Sequence, residues 1–435
     1  MAVAQEFLLQ ECRNLRGLLN KTLRYEYGGA VDSRIFYQEC NARLVSLEKA
    51  IGSAIDPAAL GEEGMHLNEL ANLICRLERS SISEHSWPFV HELKRIASAI
   101  CTEDTLTGTD TPNQIYVLAD GGLDTYQIYP EGRRPSYTQK RLLTIVFPKS
   151  LKHFVLLHSI LGHELGHAIW NCSKHKREMR DQVEKHVKEG VFASPDMTAT
   201  HIYSTTAPLK ERDFLGSCPA SMKQDNLFLS YANWDAWCEE ILCDLVGLII
   251  FGPSFIASAC ELLTSMNPVG SGFGPQHPPI AWRLNYLLDG AKILNYDARP
   301  PNGDPLRADI DAFWASLETF RSPDPWYSVF TSDQLRRALS GMQSLLSRYP
   351  PTEYPSPTFE SLEQLVSMLK HQIPPVGFQI MSDDLPKCKS VDFRHILFSG
   401  WIAKASRQVM PVDVINKLCE HAIMQQIAID ITLSP

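Results

Sequence analysis

The segment LLHSILGHELGHAIW, residues 156–170, sets the expectations for the whole chain. Its apolar residues recur at intervals of three and four, which is the spacing of a helix with one buried face. It also contains His163, Glu164 and His167 in the pattern H-E-x-x-H. Because residues four apart lie on the same face of a helix, both imidazoles can bind one metal ion. The sequence therefore predicts a helix over residues 151–170, with this pattern in its interior and a zinc site on one face.

Glu164 directly follows the first histidine and lies one position further round the helix. From there its carboxylate is poorly placed to bind the same ion, but it can take a proton from a water molecule. A zinc ion lowers the pKa of the water that it binds and polarises a carbonyl group. The pattern indicates amide hydrolysis by a metal-activated water, with Glu164 as the general base. The alternative is that both histidines are polar residues buried in a helical core.

A catalytic zinc site needs a third protein ligand, and the segment NWDAWCEEILCDLVGLIIFG, residues 233–252, supplies one. Glu240 and Asp244 are four residues apart in an otherwise apolar helical pattern. Burying a carboxylate costs free energy unless the group is paired with an opposite charge, hydrogen-bonded or bound to a metal. We therefore expect Glu240 to bind the metal and Asp244 to accept a hydrogen bond from the outer ring nitrogen of a ligand histidine. Glu239 is the rival ligand, and an acidic stripe that faces water is the alternative for the pair.

Three motifs, in this order, resemble those of the gluzincin zinc peptidases of the HtpX and CAAX-prenyl endopeptidase type. They are GHELGHA, EEILCDL and HPPIAWRLNYL, spread over residues 156–288. The family carries H-E-x-G-H, then E-x-x-x-D, then H-P-P-x-x-x-R at the corresponding places. The resemblance implies that His163, His167 and Glu240 bind zinc and that Glu164 is the base of a zinc-dependent endopeptidase.

The resemblance also implies roles for residues around the ligands. Asp244 would orient a ligand histidine, His277 would lie near the site and stabilise the oxyanion, and Arg283 would pair with a carboxylate there. The alternative for His277 is a loop residue that merely precedes a helix. The resemblance further implies that an edge strand near QIYVLAD or LLTIVFP pairs with the substrate backbone.

The expected fold is α+β: a mainly helical zincin-like (gluzincin) core with a small β-sheet, flanked by helical regions at both ends. Helical spacing predicts a hairpin in residues 1–61. The resemblance implies that residues 62–295 form the metallopeptidase core. The β-branched and aromatic runs QIYVLAD, LDTYQIYP and RLLTIVFP predict the only strands. A proline-rich link, NYDARPPNGDP, introduces a helical region over residues 296–435.

The composition of the chain limits which binding partners and which cellular compartment we expect. With 41 basic and 50 acidic residues the net charge is -9, which argues against nucleic acid as a partner. Typical members of the similar family are embedded in membranes, whereas the longest uncharged and predominantly apolar run here, residues 245–260, is shorter than the about 20 residues of a span. The first residues lack a signal-peptide pattern, and 11 scattered cysteines fit free thiols in a reducing compartment. We expect a soluble minigluzincin-like core in the cytoplasm, acting on a peptide or protein substrate.

Two other functions stay open. One is a regulatory or interaction protein that retains a structural or vestigial zinc site, with a partner bound through the helical extensions. The other is a zinc hydrolase that acts on a non-peptide amide, which a narrow closed pocket rather than an open groove would support.

Overall fold

The structure is a computed structural model, and it describes residues 2–26, 30–81, 84–101, 115–123, 125–130, 141–170, 181, 234–266, 277–322, 332–349, 352–380, 386–388, 390–406 and 410–433. The chain divides into two compact units. The first contains Met1–Ser98 and Thr111–His153, and the second contains Ala99–Asp110 and Phe154–Pro435. The predicted boundaries after residues 61 and 295 therefore differ from the observed division.

The first unit begins with the helices α1 (Ala2–Thr22), α2 (Ala30–Ser53) and α3 (Pro57–Glu78) and most of α4 (Trp87–Cys101), whose last three residues belong to the second unit. The carboxylate of Asp56 accepts a hydrogen bond from the Ala59 amide at 2.9 Å and caps α3, and a proline follows at the first helical position. Apolar side chains of α1, α2 and α3 form one core. The predicted two-helix hairpin is thus part of a three-helix cluster, and the boundary expected after residue 61 falls inside α3.

A three-stranded sheet follows in the same unit. Each of the three predicted runs forms a strand: β1 (Ile115–Leu123), β2 (Gln127–Pro130) and β3 (Arg141–Pro148). The order is β1-β3-β2, with β1 parallel and β2 antiparallel to β3. The run LLTIVFP therefore lies in the central strand. Because both of its sides are already paired, it is not the edge strand that the resemblance implied. The run QIYVLAD lies largely in β1, which is at the edge of the sheet formed by the described residues.

The H-E-x-x-H helix of the second unit starts later than its sequence spacing predicts. Short 3-10 helices cover Lys149–Leu151 and Val155–Ile160, and α5 covers only Leu161–Trp170. His163 is therefore in the first turn of α5 and not in the interior of a longer helix. The backbone of Leu156 explains the difference. Its amide donates to Asn416 Oδ1 at 3.0 Å, and its carbonyl accepts from Ser258 Oγ at 2.8 Å, so distant side chains bind groups that an α-helix would use.

The described part of the second unit contains eight further helices: α6 (Trp234–Phe251), α7 (Pro253–Met266), α8 (Ile280–Ile293), α9 (Arg307–Glu318), α10 (Ser332–Leu346), α11 (Phe359–Lys370), α12 (Phe393–Ala405) and α13 (Val412–Leu433). Gly252, with a φ of +56°, makes the turn between α6 and α7. Helix α10 packs against α6 and α8, and α12 packs against α7. The region predicted to begin at residue 296 is therefore continuous with the helices before it.

A second, two-stranded antiparallel sheet, β4 (Phe378–Ile380) with β5 (Pro386–Cys388), was not predicted. Its strands are three residues long, too short for an alternating pattern to stand out. The sequence of the charged segment 174–190 predicts a solvated helix or loop, and this segment lies outside the described residues apart from Asp181. The described part of the chain confirms a mainly helical α+β fold. Within that part, no helix has both the length and the apolar character that crossing a membrane requires.

Candidate metal centre

Helices α5 and α6 pack against each other with almost no side chain between their backbones. A Cβ on Gly166 would lie 2.5 Å from the Cα of Cys243, and a Cβ on Gly162 would lie 2.9 Å from the Cα of Gly247. On each helix the two positions are four residues apart, so the contact follows one face. Each glycine of α5 directly precedes a histidine of the H-E-x-x-H pattern. The close contact therefore brings both imidazoles to α6.

The two imidazoles and the carboxylate of Glu240 face one another. His163 Nε2 lies 3.2 Å from His167 Nε2. Glu240 Oε2 lies 3.5 Å from His163 Nε2, and Glu240 Oε1 lies 3.5 Å from His167 Nε2. His163 and Glu240 are buried, whereas the side chain of His167 is 26% exposed. The structure thus brings together the three residues that the sequence analysis named as ligands.

The other nitrogen of each ring is held by a carboxylate. His163 Nδ1 lies 2.8 Å from Asp244 Oδ1, and His167 Nδ1 lies 2.8 Å from Glu239 Oε1. Because a carboxylate only accepts hydrogen bonds, each Nδ1 is the donor, and in the neutral ring Nε2 keeps its lone pair. This is the tautomer that binds a metal through Nε2. Glu239, considered above as a rival ligand, instead accepts a hydrogen bond from the second histidine.

A buried arginine and a buried tyrosine hold Asp244 in turn. Arg283 Nε donates to Asp244 Oδ2 at 2.7 Å and Nη2 donates to Oδ1 at 2.8 Å, and the Tyr286 hydroxyl donates to Oδ2. Burial by itself raises the pKa of Asp244, but the charge and hydrogen bonds of Arg283 outweigh it and hold that pKa well below its ordinary value. Sequence reasoning missed Tyr286, although it lies three residues after Arg283 and hence on the same face of α8.

Glu240 has two further neighbours besides the two rings. Arg283 Nη1 lies 3.2 Å from Glu240 Oε2, and His277 Nε2 lies 3.7 Å from Glu240 Oε1. The side chain of His277 is 63% exposed. Both residues therefore lie beside the Glu240 carboxylate, Arg283 on its buried side and His277 toward solvent.

Several negative groups act on His167. Burial lowers the pKa of His167, but its hydrogen bond to Glu239 and the charges of Glu164 and Glu240 outweigh burial and raise it above the ordinary value. Glu164, the expected base, is half-buried in the first turn of α5. Its charge therefore acts on the same ring that faces Glu240.

The donors fit a zinc ion, which binds imidazole nitrogen and carboxylate oxygen. A second arrangement is also present, because ligand atoms of His163, His167 and Cys243 lie within 4.8 Å of one another. Burial and then the charges of Glu240 and Glu239 raise the pKa of the Cys243 thiol well above its ordinary value, which disfavours the thiolate that binds metals. A Cβ on the facing glycine, residue 166, would lie 2.9 Å from the Cys243 sulfur, so this thiol lies in the α5–α6 contact. Glu240 is therefore the better third ligand.

All the residues of this site that the structure describes belong to the second unit, on α5, α6 and α8 and the residues just before α8. Residues as far apart as His163 and Arg283, 120 positions, come within 3.5 Å. Comparisons with protein-family models, curated proteins and solved structures found no match to this chain.

Proposed function

We propose that the chain is a zinc-dependent endopeptidase whose metal is held by His163, His167 and Glu240. The observation that carries this proposal is the arrangement of the two rings. Both Nε2 atoms face each other and the Glu240 carboxylate at 3.2–3.5 Å, while both Nδ1 atoms donate to separate carboxylates. Such outer hydrogen bonds fix the tautomer and the orientation of metal-binding histidines.

The residues around the proposed ligands would orient the ligand side chains and offset part of their negative charge. Bound there, Zn²⁺ would polarise the scissile carbonyl and lower the pKa of a water molecule. Asp244 orients His163, and Arg283 keeps Asp244 ionised. Arg283 also offsets part of the negative charge of Glu240, which lies 3.2 Å from its Nη1.

Glu164 is the group proposed to move the proton. It would take a proton from the attacking water and then give it to the nitrogen of the leaving amine. Its charge already acts on the His167 ring, which supports a position beside the proposed metal. His277 is exposed and lies 3.7 Å from Glu240. From there its imidazole could donate to the substrate oxygen on which negative charge develops.

The test is the variant Glu164→Gln, which keeps the shape of the side chain and removes its basicity. We expect this variant to keep the zinc content of the wild type and to lose peptide cleavage. Zinc is measured by elemental analysis, and cleavage is measured as new peptide termini by mass spectrometry after incubation with a cell lysate. Retained cleavage in the zinc-loaded variant would contradict the proposal.

One observation favours a second candidate, a regulatory or interaction protein with a structural or vestigial site. Arg283 forms an ion pair with the ligand carboxylate of Glu240, and a guanidinium competes with a metal for the same oxygen. In this candidate the arginine takes over the charge-neutralising role of the ion. Purified wild-type protein without zinc, after growth in zinc-containing medium, would favour a vestigial site over the peptidase.

A further inference from the structure

We propose that Glu239 is a positioning residue of this metal centre, which orients His167 and sets how tightly that half of the site holds the metal. The inference rests on the proposed function, because it concerns the same ligand. The sequence offers Glu239 only as a rival of Glu240 for the metal. Its contact in the structure is of a different kind, a hydrogen bond of 2.8 Å from the outer nitrogen of the second histidine.

The two nitrogens of His167 face two successive residues of α6. Nδ1 lies 2.8 Å from Glu239 Oε1, and Nε2 lies 3.5 Å from Glu240 Oε1. An imidazole on a helix can turn about two side-chain bonds, and a hydrogen bond at one nitrogen restricts both rotations. Glu239 thereby keeps Nε2 directed at the point where Glu240 and His163 also meet. Its negative charge beside the N–H also makes the opposite nitrogen a stronger metal ligand.

The two outer carboxylates are held very differently. Asp244 is 1% exposed and accepts hydrogen bonds from Arg283 and Tyr286 as well as facing His163. The side chain of Glu239 is 25% exposed, and among the described residues its one hydrogen-bond partner is the His167 ring. The negative charge of Asp244 is therefore largely balanced by Arg283, whereas that of Glu239 acts on the ring directly. The pair of His163 and Asp244 is therefore buried and tied to α8, whereas the pair of His167 and Glu239 is partly exposed.

Two variants separate the hydrogen bond from the charge. Glu239→Gln keeps an acceptor oxygen at the same reach and removes the charge, whereas Glu239→Ala removes both. Loss of such an outer partner weakens metal binding about 10–100-fold. We expect a loss of about tenfold in zinc affinity for Glu239→Gln and of up to about 100-fold for Glu239→Ala. Glu261→Gln is the matched control, because it removes a carboxylate that pairs with Lys404 on the surface of the same unit.

The experiment uses the full chain and two readouts. Zinc affinity is measured by competition with a chromogenic chelator. The N–H resonances of ¹⁵N-labelled histidines are recorded in the metal-free protein, where a hydrogen-bonded Nδ1–H is protected from exchange with water. In Glu239→Ala the His167 Nδ1–H signal should disappear, while the His163 signal, whose partner is Asp244, should persist. A purely structural effect of the substitution would disturb both signals.

The outcomes distinguish this inference from the proposed function. A wild type that binds zinc, together with Glu239 variants that bind it as tightly, overturns the role of Glu239 and leaves the metal centre standing. A wild type that binds no zinc overturns the metal centre and this inference with it. Should Glu239→Ala fail to fold, Glu239→Gln, which has nearly the same size and shape, decides the question by its affinity alone.

Discussion

Asp244 is the residue that accepts most of the hydrogen bonds within the site. It is 1% exposed and binds His163, Arg283 and Tyr286. A buried charge is tolerated only when opposite charges and hydrogen bonds surround it, and breaking such a buried pair costs about 3–5 kcal/mol. The stability of this part of the chain should therefore depend strongly on Asp244, whether or not a metal is bound.

We predict that Asp244→Asn lowers the free energy of unfolding by about 3 kcal/mol, measured by urea denaturation of the metal-free protein. This value is at the low end of the range for breaking a buried ion pair, because Glu240 still faces the Arg283 guanidinium at 3.2 Å and balances its charge. The control is Asp413→Asn on the surface, where the pair with Lys417 is exposed and a change within about 0.5 kcal/mol is expected. Equal effects of the two substitutions would contradict this account of Asp244.

The sequence could name His163, His167, Glu240 and Asp244 because residues four apart share a helix face, and that rule needs no knowledge of the neighbouring helix. It could not assign Glu239. Which of two adjacent carboxylates faces which ring nitrogen depends on how α6 is rotated against α5, and periodicity does not contain that angle. Tyr286 was missed for a related reason, since its partner lies on a different helix, 42 residues away.

At the scale of elements, the contact between α5 and α6 depends on glycine. Gly166 faces the backbone of Cys243, and Gly162 faces the backbone of Gly247. A methyl group at residue 166 meets a main-chain atom, which cannot turn away as the end of a flexible side chain could. The separation of these two helices, and with it the approach of the rings to Glu240, is therefore set at these positions.

We predict that Gly166→Ala destabilises the protein by about 1–3 kcal/mol and weakens zinc binding, because the two helices must separate. Gly61→Ala is the control. Gly61 lies in α3, with nothing within 4 Å of an added Cβ, so the same change there should be neutral or stabilise by up to about 1 kcal/mol. Urea denaturation and chelator competition measure the two effects. If Gly166→Ala behaved like the control, the contact would not limit the site.

The start of α5 could not be predicted from the apolar periodicity of the sequence. Apolar spacing runs on through residues 151–160, yet residues 155–160 form a 3-10 helix and the α-helix begins only at Leu161. The groups responsible, Asn416 and Ser258, lie 260 and 102 positions from Leu156. Periodicity reports which face of a segment is buried, but it does not report which distant side chains bind its backbone.

For the whole molecule, the site connects helices that are far apart in sequence but lie in one unit. A ligand that binds only the folded state stabilises it by an amount that grows with concentration, about 2.7 kcal/mol at a hundredfold excess over Kd. Zinc held between α5 and α6 should therefore stabilise these two helices. Helix α8 should follow, because its Arg283 contacts Glu240 and Asp244.

We predict that zinc slows hydrogen exchange in peptides from α5, α6 and α8 and leaves peptides from α1, α2 and α3 unchanged, because the latter belong to the other unit. Exchange followed by mass spectrometry, with and without added zinc, makes the comparison within one sample. A uniform slowing over the whole chain, or none at all, would contradict binding at this site.

The overall class could be predicted, since helices of 12 to 24 residues and three short strands have strong local patterns. The division of the chain into two compact units could not be predicted from the sequence. Helix α3 packs with α1 and α2, and α10 and α12 pack with helices that precede the proline-rich link. Which segments pack together depends on contacts between positions distant in sequence, and neither a composition shift nor a proline-rich stretch reveals them.

The glycines at 162 and 166 limit which substitutions evolution can accept at these two positions. Neither has a side chain to bind anything, yet any descendant that keeps both imidazoles against the same acidic residue would have to keep very small residues at these two places. An engineer who wished to transplant the site onto another pair of helices would face the same demand. The side chains of His163, His167, Glu240 and Asp244 would not suffice unless glycine or another very small residue directly preceded each histidine.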